Sequence, residues 1–198
     1  MVFTSILDAP QINEREILRY AGCKSSDESI NELMQSVISE LEGKLEYKVC
    51  YCRLALNVSA DTCNFGSFEI RSADLAKNLS GCRSALIFGA TLGVEIDRMI
   101  SRYGYISPAR AVMLQAAGAE RIEALCSAFC KQYAENNGIL LRPRFSAGYG
   151  DLSLEMQRDI FLLLDCSRHI GLTLTDSLLM SPSKSVTAIA GIEEKYDI

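Results

Sequence analysis

The sequence predicts an α+β fold, in which one twisted, largely antiparallel sheet is packed with helices behind a helical N-terminal segment. Helical and strand patterns are interspersed along the 198 residues without a regular strand–helix–strand repeat, which argues against a parallel sheet. Hydrophobic residues make up 48% of the chain, enough to fill a sizeable core. No internal repeat or linker divides the sequence. We therefore expect a single domain over residues 1–198, with residues 1–45 as its helical N-terminal segment.

The first third of the chain carries clear helix signals. Asn13 is a suitable N-cap for a helix that runs to about Tyr20 and ends at Gly22. A second helix is expected from Ser26 or Asp27, because apolar residues recur there at helical spacing until a glycine stops them.

The central part of the chain alternates between strand and helix signals. Residues 47–58 and 67–70 are predicted strands, because β-branched and aromatic residues are frequent in them. Residues 72–79 and 93–103 are predicted helices, and the apolar run over 82–90 predicts a central strand.

The longest predicted helix begins at Ser107–Pro108 and runs to about Asn136, since proline fits the first turn of a helix. We interpret its stripe of small residues as close packing against another element. The remaining elements are a helix over 154–167, strands over 172–174 and 186–189, and a frayed, charged tail over 193–198.

Charge and hydropathy exclude several classes of function. The net charge is −5 and no run of basic residues is present, which argues against nucleic-acid binding. No apolar stretch reaches the roughly 18–20 residues that a membrane span needs. Residues 1–7 are too short, and lack the basic flank, for a secretory signal. We therefore expect a cytoplasmic protein without nucleic-acid or membrane partners.

Eight cysteines are best interpreted as reduced, packed thiols. Cys50 and Cys52 share one face of a predicted strand, and Cys126 and Cys130 share one face of a helix. However, no Cys-x-x-Cys pair is present and His169 is the only histidine, so the usual spacing of a zinc or iron–sulfur site is missing. We predict no bound metal.

A strand–glycine–helix junction at Gly89-Ala-Thr-Leu-Gly93 resembles a nucleotide-binding turn. It has two glycines where the dinucleotide-binding and Rossmann-type methyltransferase loops have more, at closer spacing. The match is therefore poor, and we favour glycines that begin a helix without any ligand.

The loop over residues 142–149 carries the most specific chemistry in the chain. It contains Arg-x-x-x-Gly-Tyr, formed by Arg144, Gly148 and Tyr149. An arginine can hold a carboxylate through two parallel hydrogen bonds, glycine admits a ligand close to the backbone, and tyrosine offers a flat ring with a polar tip. These residues suit an amino-acid ligand that carries a cationic or aromatic group. An ordinary surface turn, punctuated by Pro143 and glycines, also fits them.

The order of signals over residues 142–190 resembles the activation domain of cobalamin-dependent methionine synthase. That family has Arg-x-x-x-Gly-Tyr, a helix, a His-x-Gly turn, a Leu-Thr-(Glu/Asp)-Ser strand and then Met-x-Pro-x-x-Ser-Val. The matching residues after the helix are His169–Gly171, Leu174–Ser177, Met180, Pro182, Ser185 and Val186.

The resemblance implies a ligand and a site. The family's activation domain binds S-adenosylmethionine and docks over a cobalamin-binding domain, where an electron and the methyl group restore methylcobalamin from cob(II)alamin. The implied S-adenosylmethionine-binding residues are Arg144, on the ligand carboxylate, with Phe145, Ala147, Gly148 and Tyr149 as the pocket wall; no catalytic side chain is implied. In the family, an acidic residue near the start of the domain holds the ligand's ammonium group, and we assign no residue to that role.

The resemblance also implies partners. The sequence shows no cobalamin, homocysteine or folate domain, so the expected protein is a stand-alone reactivation subunit, a methyltransferase only in complex with a partner. Cobalamin would be carried by a methionine synthase that lacks its own activation domain, and an electron donor such as flavodoxin would act with them. Two alternatives stay open: a degenerate, non-enzymatic module that binds corrinoid proteins, and an unrelated S-adenosylmethionine-dependent methyltransferase of the Rossmann type.

Overall fold

A computed structural model describes residues 1–23 and 27–194 of the chain. The helices are α1 (Glu14–Tyr20), α2 (Glu28–Leu41), α3 (Ala73–Asn78), α4 (Glu95–Ile106), α5 (Pro108–Asn137), α6 (Met156–Leu164) and α7 (Cys166–Ile170). The strands are β1 (Phe3–Ile6), β2 (Lys48–Ala55), β3 (Asn57–Ser59), β4 (Thr62–Asn64), β5 (Glu69–Arg71), β6 (Ser84–Thr91), β7 (Ile139–Leu141), β8 (Thr173–Leu174), β9 (Met180–Ser181) and β10 (Ser185–Glu194).

The main sheet has five strands in the order β1-β2-β6-β10-β7, and all its neighbours run antiparallel. Every residue of β6 is buried, which explains why the sequence shows a continuous apolar run there. Two smaller antiparallel sheets are formed by β3-β4-β5 and β8-β9. The predicted α+β class is confirmed, and the Rossmann alternative is wrong because that fold requires a mostly parallel sheet.

The main sheet has a hydrophobic core on each face. Ile87, Cys50 and Cys52 point to one face and belong to the core that contains residues of α3, α6 and α7. Leu86 and Phe88 point to the other face, where α5 covers the sheet. Consecutive residues of β6 thus serve opposite cores, as the period of two in a strand requires.

The N-terminal helices pack on α5 rather than on the sheet. Together with α4 they form a third core. Beside it, the buried carboxylate of Glu120 pairs with Arg121 at 2.6 Å. Arg121 donates to the backbone oxygens of Pro10 and Gln11, and the Asn13 N–H donates to Glu120. Helices α1 and α2 confirm the predicted helical N-terminal segment, although the segment begins with strand β1, which the sequence did not predict.

Two predicted helix starts are confirmed by their capping hydrogen bonds. The Asn13 side chain accepts a hydrogen bond from the Glu16 N–H, and the Asp27 side chain accepts one from the Ile30 N–H. Ser26, the other start proposed for α2, lies outside the described residues. Helix α5 begins at Pro108, as predicted. The Ser107 side chain makes no capping hydrogen bond, so Ser107 precedes the helix without capping it.

Gly118 explains the small-residue stripe of α5. A Cβ built there would lie 2.6 Å from Ile96 Cδ1 and 3.0 Å from Lys184 Cε. Glycine therefore lets α4 and the start of β10 approach the helix closely, which confirms the packing interpretation.

Three predictions of elements were wrong or only partly right. The helix over 154–167 is two helices, because Asp165 has a φ of 44° and a left-handed residue interrupts a right-handed helix. The strand over 47–58 ends at Ala55 and a second strand begins at Asn57. The strand start that the resemblance implied over Leu174–Ser177 holds only for Leu174, the last residue of β8, because Thr175 begins a turn that returns to Leu179.

The charged tail was also predicted incorrectly over its first residues. Glu193 and Glu194 extend β10 and pair with β7, and Glu193 forms an ion pair with Arg142 at 2.6 Å. Cross-strand pairing of this kind depends on distant residues and leaves no local signal. Residues 195–198, including Tyr196, lie outside the described residues.

Gly89 does not belong to a nucleotide-binding turn. It lies in the middle of β6, where an added Cβ would meet Cys166 Sγ at 3.2 Å and Cys50 Sγ at 3.6 Å. Gly93 does form a turn, with a φ of 78°, but the Glu46 side chain occupies the space beside it. The glycines at this junction therefore serve packing and chain reversal.

Candidate functional site

The loop over residues 142–149 follows β7 and stays bound to the backbone of β10. The Arg142 N–H donates to the Gly191 oxygen at 2.8 Å, and Phe145 exchanges two backbone hydrogen bonds of 2.8 Å with Ile189. The loop therefore advances three residues, from Arg142 to Phe145, while β10 advances two, from Gly191 to Ile189. The extra residue makes a bulge, and Pro143 fits there because a bulge tolerates a missing N–H.

This bulge turns the two arginines of the loop to different neighbours. Arg142 lies against Gly191 and pairs with Glu193. Arg144 instead reaches α5, where its Nη2 donates to Glu123 Oε2 at 2.9 Å. The Arg144 side chain is 26% exposed, so part of the guanidinium remains open to solvent or a ligand.

Two cysteines near Arg144 do not balance its charge. Burial raises the pKa of Cys126 to about 12 and that of Cys130 to about 11, so both thiols are neutral near pH 7. Among the described residues, Glu123 is the carboxylate that forms an ion pair with Arg144. Cys126 and Cys130 therefore share one face of α5, as predicted, and this face approaches the loop.

A cleft of about 420 Å³ opens beside this ion pair. It is lined by Glu123, Pro143, Arg144, Ser146, Tyr149, Val186 and Ala188. Its walls thus come from α5, the loop and β10. The cleft combines an anion, a cation, an exposed aromatic ring and two aliphatic side chains, and can hold an amino-acid group joined to an apolar or aromatic body.

The structure brings together two of the five predicted site residues in the cleft. Arg144 and Tyr149 line it, and the Tyr149 side chain is exposed. Phe145 packs against the core below the loop and Ala147 is buried, so their side chains support the cleft from behind. Gly148, with a φ of 89°, forms the turn that precedes Tyr149. Ligand contact by these five residues stays a prediction.

Sequence reasoning missed Glu123, Ser146 and the aliphatic wall of β10. A signal for Glu123 was present, because it lies one helical turn before Cys126 and shares its face. Val186 belongs to the Met-x-Pro-x-x-Ser-Val motif, but the motif does not show which face of the strand it occupies. Contact between α5 and the loop could not be read from either segment alone.

A second cleft, of about 370 Å³, lies between the N-terminal segment and helix α5. Its walls include Ile17, Leu41 and Ala117, and its one guanidinium belongs to Arg121. That guanidinium already binds Glu120 and two backbone oxygens. The Arg144 cleft is therefore the stronger candidate for a charged ligand.

The structure also bears on metals and membranes. Within residues 1–23 and 27–194, no three histidine, cysteine or acidic side chains are grouped closely enough to hold a metal ion. The Sγ atoms of Cys50 and Cys166 lie 3.7 Å apart, as two neighbouring free thiols. Over the same described ranges, no helix has both the length and the apolar character that crossing a membrane requires.

Comparison with known proteins identifies a structural neighbour. No protein-family model matches the chain, and no curated protein matches its sequence. The crystal structure of the MetH reactivation domain bound to AdoHcy (S-adenosylhomocysteine) matches it with a TM-score of 0.74. The match covers 100% of this chain and 80% of that chain at 13% sequence identity. The chain therefore has the fold of a methionine synthase reactivation domain, as the resemblance of its motifs implied.

Proposed function

We propose that this protein is a stand-alone reactivation subunit of a cobalamin-dependent methionine synthase, and that it binds S-adenosylmethionine in the Arg144 cleft. The observation that carries the proposal is the 2.9 Å pair of Arg144 and Glu123, at the wall of a cleft formed by the Arg-x-x-x-Gly-Tyr loop. The neighbouring structure with this fold holds S-adenosylhomocysteine, the product left when S-adenosylmethionine gives up its methyl group.

The ion pair matches the amino-acid end of the ligand. Arg144 offers parallel N–H donors to a carboxylate, and Glu123 offers acceptor oxygens to the ammonium group on the same carbon. Glu123 would thus hold the ammonium group from α5, a different place in the chain from the family's acidic residue near the start of the domain. A zwitterion brings both charges at once, so neither side chain is left unpaired when the Arg144–Glu123 contact opens.

The rest of the cleft suits the remainder of the ligand. Tyr149 offers an aromatic face to the adenosine part, and Val186 and Ala188 give an aliphatic wall. Cobalamin, on the partner, supplies the metal that accepts the methyl group once an electron has been delivered. The side chains described here need move no proton, because their role is to hold and aim the donor.

The partner surface is proposed to be the exposed face that begins at Tyr149. Tyr149 is 68% exposed and Leu154 is 42% exposed. A subunit that reactivates its partner only occasionally needs a transient contact, and such contacts are modest in area and partly polar. We place this encounter in the cytoplasm, with an electron donor such as flavodoxin as the third component.

A second candidate function is a degenerate module that binds corrinoid proteins without a methyl donor. One observation favours it, since Arg144 is already paired with Glu123 and is neutralised without any ligand. Equilibrium calorimetry separates the two candidates. A reactivation subunit binds one S-adenosylmethionine and one S-adenosylhomocysteine per chain in competition, whereas the absence of binding at millimolar ligand leaves only the degenerate module.

A further inference from the structure

Asp151 follows the glycine–tyrosine turn and binds the start of helix α3. Its carboxylate accepts hydrogen bonds from the Ser72 hydroxyl, from the Ala73 N–H at 2.7 Å and from the Asp74 N–H at 3.3 Å. In return, the Asp151 N–H donates to the Asp74 carboxylate at 3.2 Å. The Ser72 hydroxyl above all, and then these backbone donors, hold the pKa of Asp151 below its ordinary value.

The contact is close enough to require glycine next to it. Gly150 has a φ of 53°, and a Cβ at that position would collide with the Asp74 carboxylate. The backbone of the turn therefore rests directly on α3. Asp151 and Asp74 form a reciprocal clasp between the loop and the helix, across 77 residues of sequence.

Within the part of the chain that the structure describes, the Tyr149 side chain makes no hydrogen bond comparable to those of Asp151. Its ring is exposed and its aromatic neighbour is Phe145, at 6.5 Å between ring centroids. Its backbone is placed by hydrogen bonds inside the turn, from Tyr149 to Ser146 at 3.1 Å and from Leu152 to Tyr149 at 3.0 Å. The direction of the ring thus depends on how the whole turn is held.

We propose that Asp151 is a positioning residue, which fixes Tyr149 at the mouth of the cleft by clasping the turn to α3. The proposal rests on the function proposed above for this loop. A side chain held by three donors at a helix start restricts the turn before a ligand arrives, so less ordering is needed on binding. Asp151 acts through Tyr149 and makes no contact with the ligand itself.

The test compares Asp151→Asn and Asp151→Ala with Asp159→Asn, which removes an exposed carboxylate from α6. Hydrogen exchange of the ligand-free proteins reports the clasp, because the Gly148 and Leu152 amides are bonded within the turn. We expect both amides to exchange about tenfold faster in the Asp151 variants, while the amides of β6 and β10 keep their rates. The Asp159 variant should behave as the wild type.

Measurements of ligand affinity then show whether Asp151 positions Tyr149 for the ligand or only stabilises the turn. Affinity for S-adenosylmethionine should fall about fivefold to tenfold in Asp151→Asn. Affinity for methylthioadenosine, which lacks the amino-acid group, should fall in parallel, because the change acts on Tyr149. Unchanged exchange in the turn would overturn the clasp, and faster exchange with unchanged affinity would overturn the positioning role. If the wild type binds neither ligand, the proposed function fails, and the exchange comparison still decides the clasp.

A further variant guards against loss of folding. Should Asp151→Ala not fold, Gly150→Ala displaces the Asp74 half of the clasp and leaves the Asp151 side chain intact. The same acceleration of exchange over the turn is expected for it, and wild-type rates in that variant would contradict the proposal.

Discussion

Arg144 and Glu123, 21 residues apart, meet across 2.9 Å between the loop and helix α5. The contact exists because a bulge at Pro143 turns Arg144 away from the side on which Arg142 lies. It places a cation and an anion together at one wall of a cleft, which is the arrangement that an α-amino acid requires.

Replacement of Arg144 should weaken ligand binding strongly. Arg144→Ala removes a charge-assisted contact, so affinity for S-adenosylmethionine should fall about tenfold to a hundredfold in calorimetry. Arg144→Lys should recover little, because an ammonium cannot reproduce the two parallel donors. Arg142→Ala is the matched control and should bind normally, since Arg142 pairs with Glu193 outside the cleft. Equal losses in the two alanine variants would contradict the assignment.

Glu123 should contribute through the ligand's ammonium group. Glu123→Gln keeps the shape but loses the charge, and we expect about a tenfold loss of affinity for S-adenosylmethionine. Methylthioadenosine carries no ammonium or carboxylate, so its affinity should be unchanged in Glu123→Gln and in Arg144→Ala. A parallel loss for both ligands would mean that Glu123 maintains the cleft rather than binding the amino-acid group.

The buried ion pair of helix α5, Glu120 with Arg121, should be important for stability. Glu120→Gln leaves the Arg121 guanidinium buried without its anion, and should lower the free energy of unfolding by about 3–5 kcal/mol. The control is Glu135→Gln on the same helix, which removes an exposed pair with Lys131 and should cost no more than about 0.5 kcal/mol. Urea denaturation measures both variants, and similar small losses would show that the pair is not effectively buried.

The cysteines should behave as free and mostly unreactive thiols. Burial raises the pKa of Cys52 and Cys63 to about 11, so few thiolates exist near pH 8 and alkylation should be slow until the pH approaches 11. The unfolded protein should titrate as eight thiols without prior reduction. Elemental analysis should find no stoichiometric zinc or iron; one metal per chain would overturn this, and Cys50 and Cys52 would then be the first ligands to test.

The sequence was sufficient to predict those elements whose structure depends on residues within the same segment. Asn13 and Asp27 cap helices through bonds to residues three positions away, and the apolar run around Ile87 becomes the central strand because it is buried on both faces. The loop with Arg144 was also recognisable, since its motif is contiguous.

Features that depend on distant contacts were not predictable. Strand β7 has three residues, and its pairing with Glu193 and Glu194 is set by the sheet rather than by its own pattern. The left-handed conformation of Asp165 gives no sequence signal of the kind that a glycine gives. Glu123 became a site residue only when α5 and the loop were seen together.

The most direct test of the account is methyl transfer to a cobalamin-loaded partner. A methionine synthase without its own activation domain, prepared with cob(II)alamin, is mixed with reduced flavodoxin, S-adenosylmethionine and this protein. The absorbance spectrum should change to that of methylcobalamin, and the change should be lost with Arg144→Ala or when this protein is omitted. Equal conversion with and without this protein would contradict the proposed function.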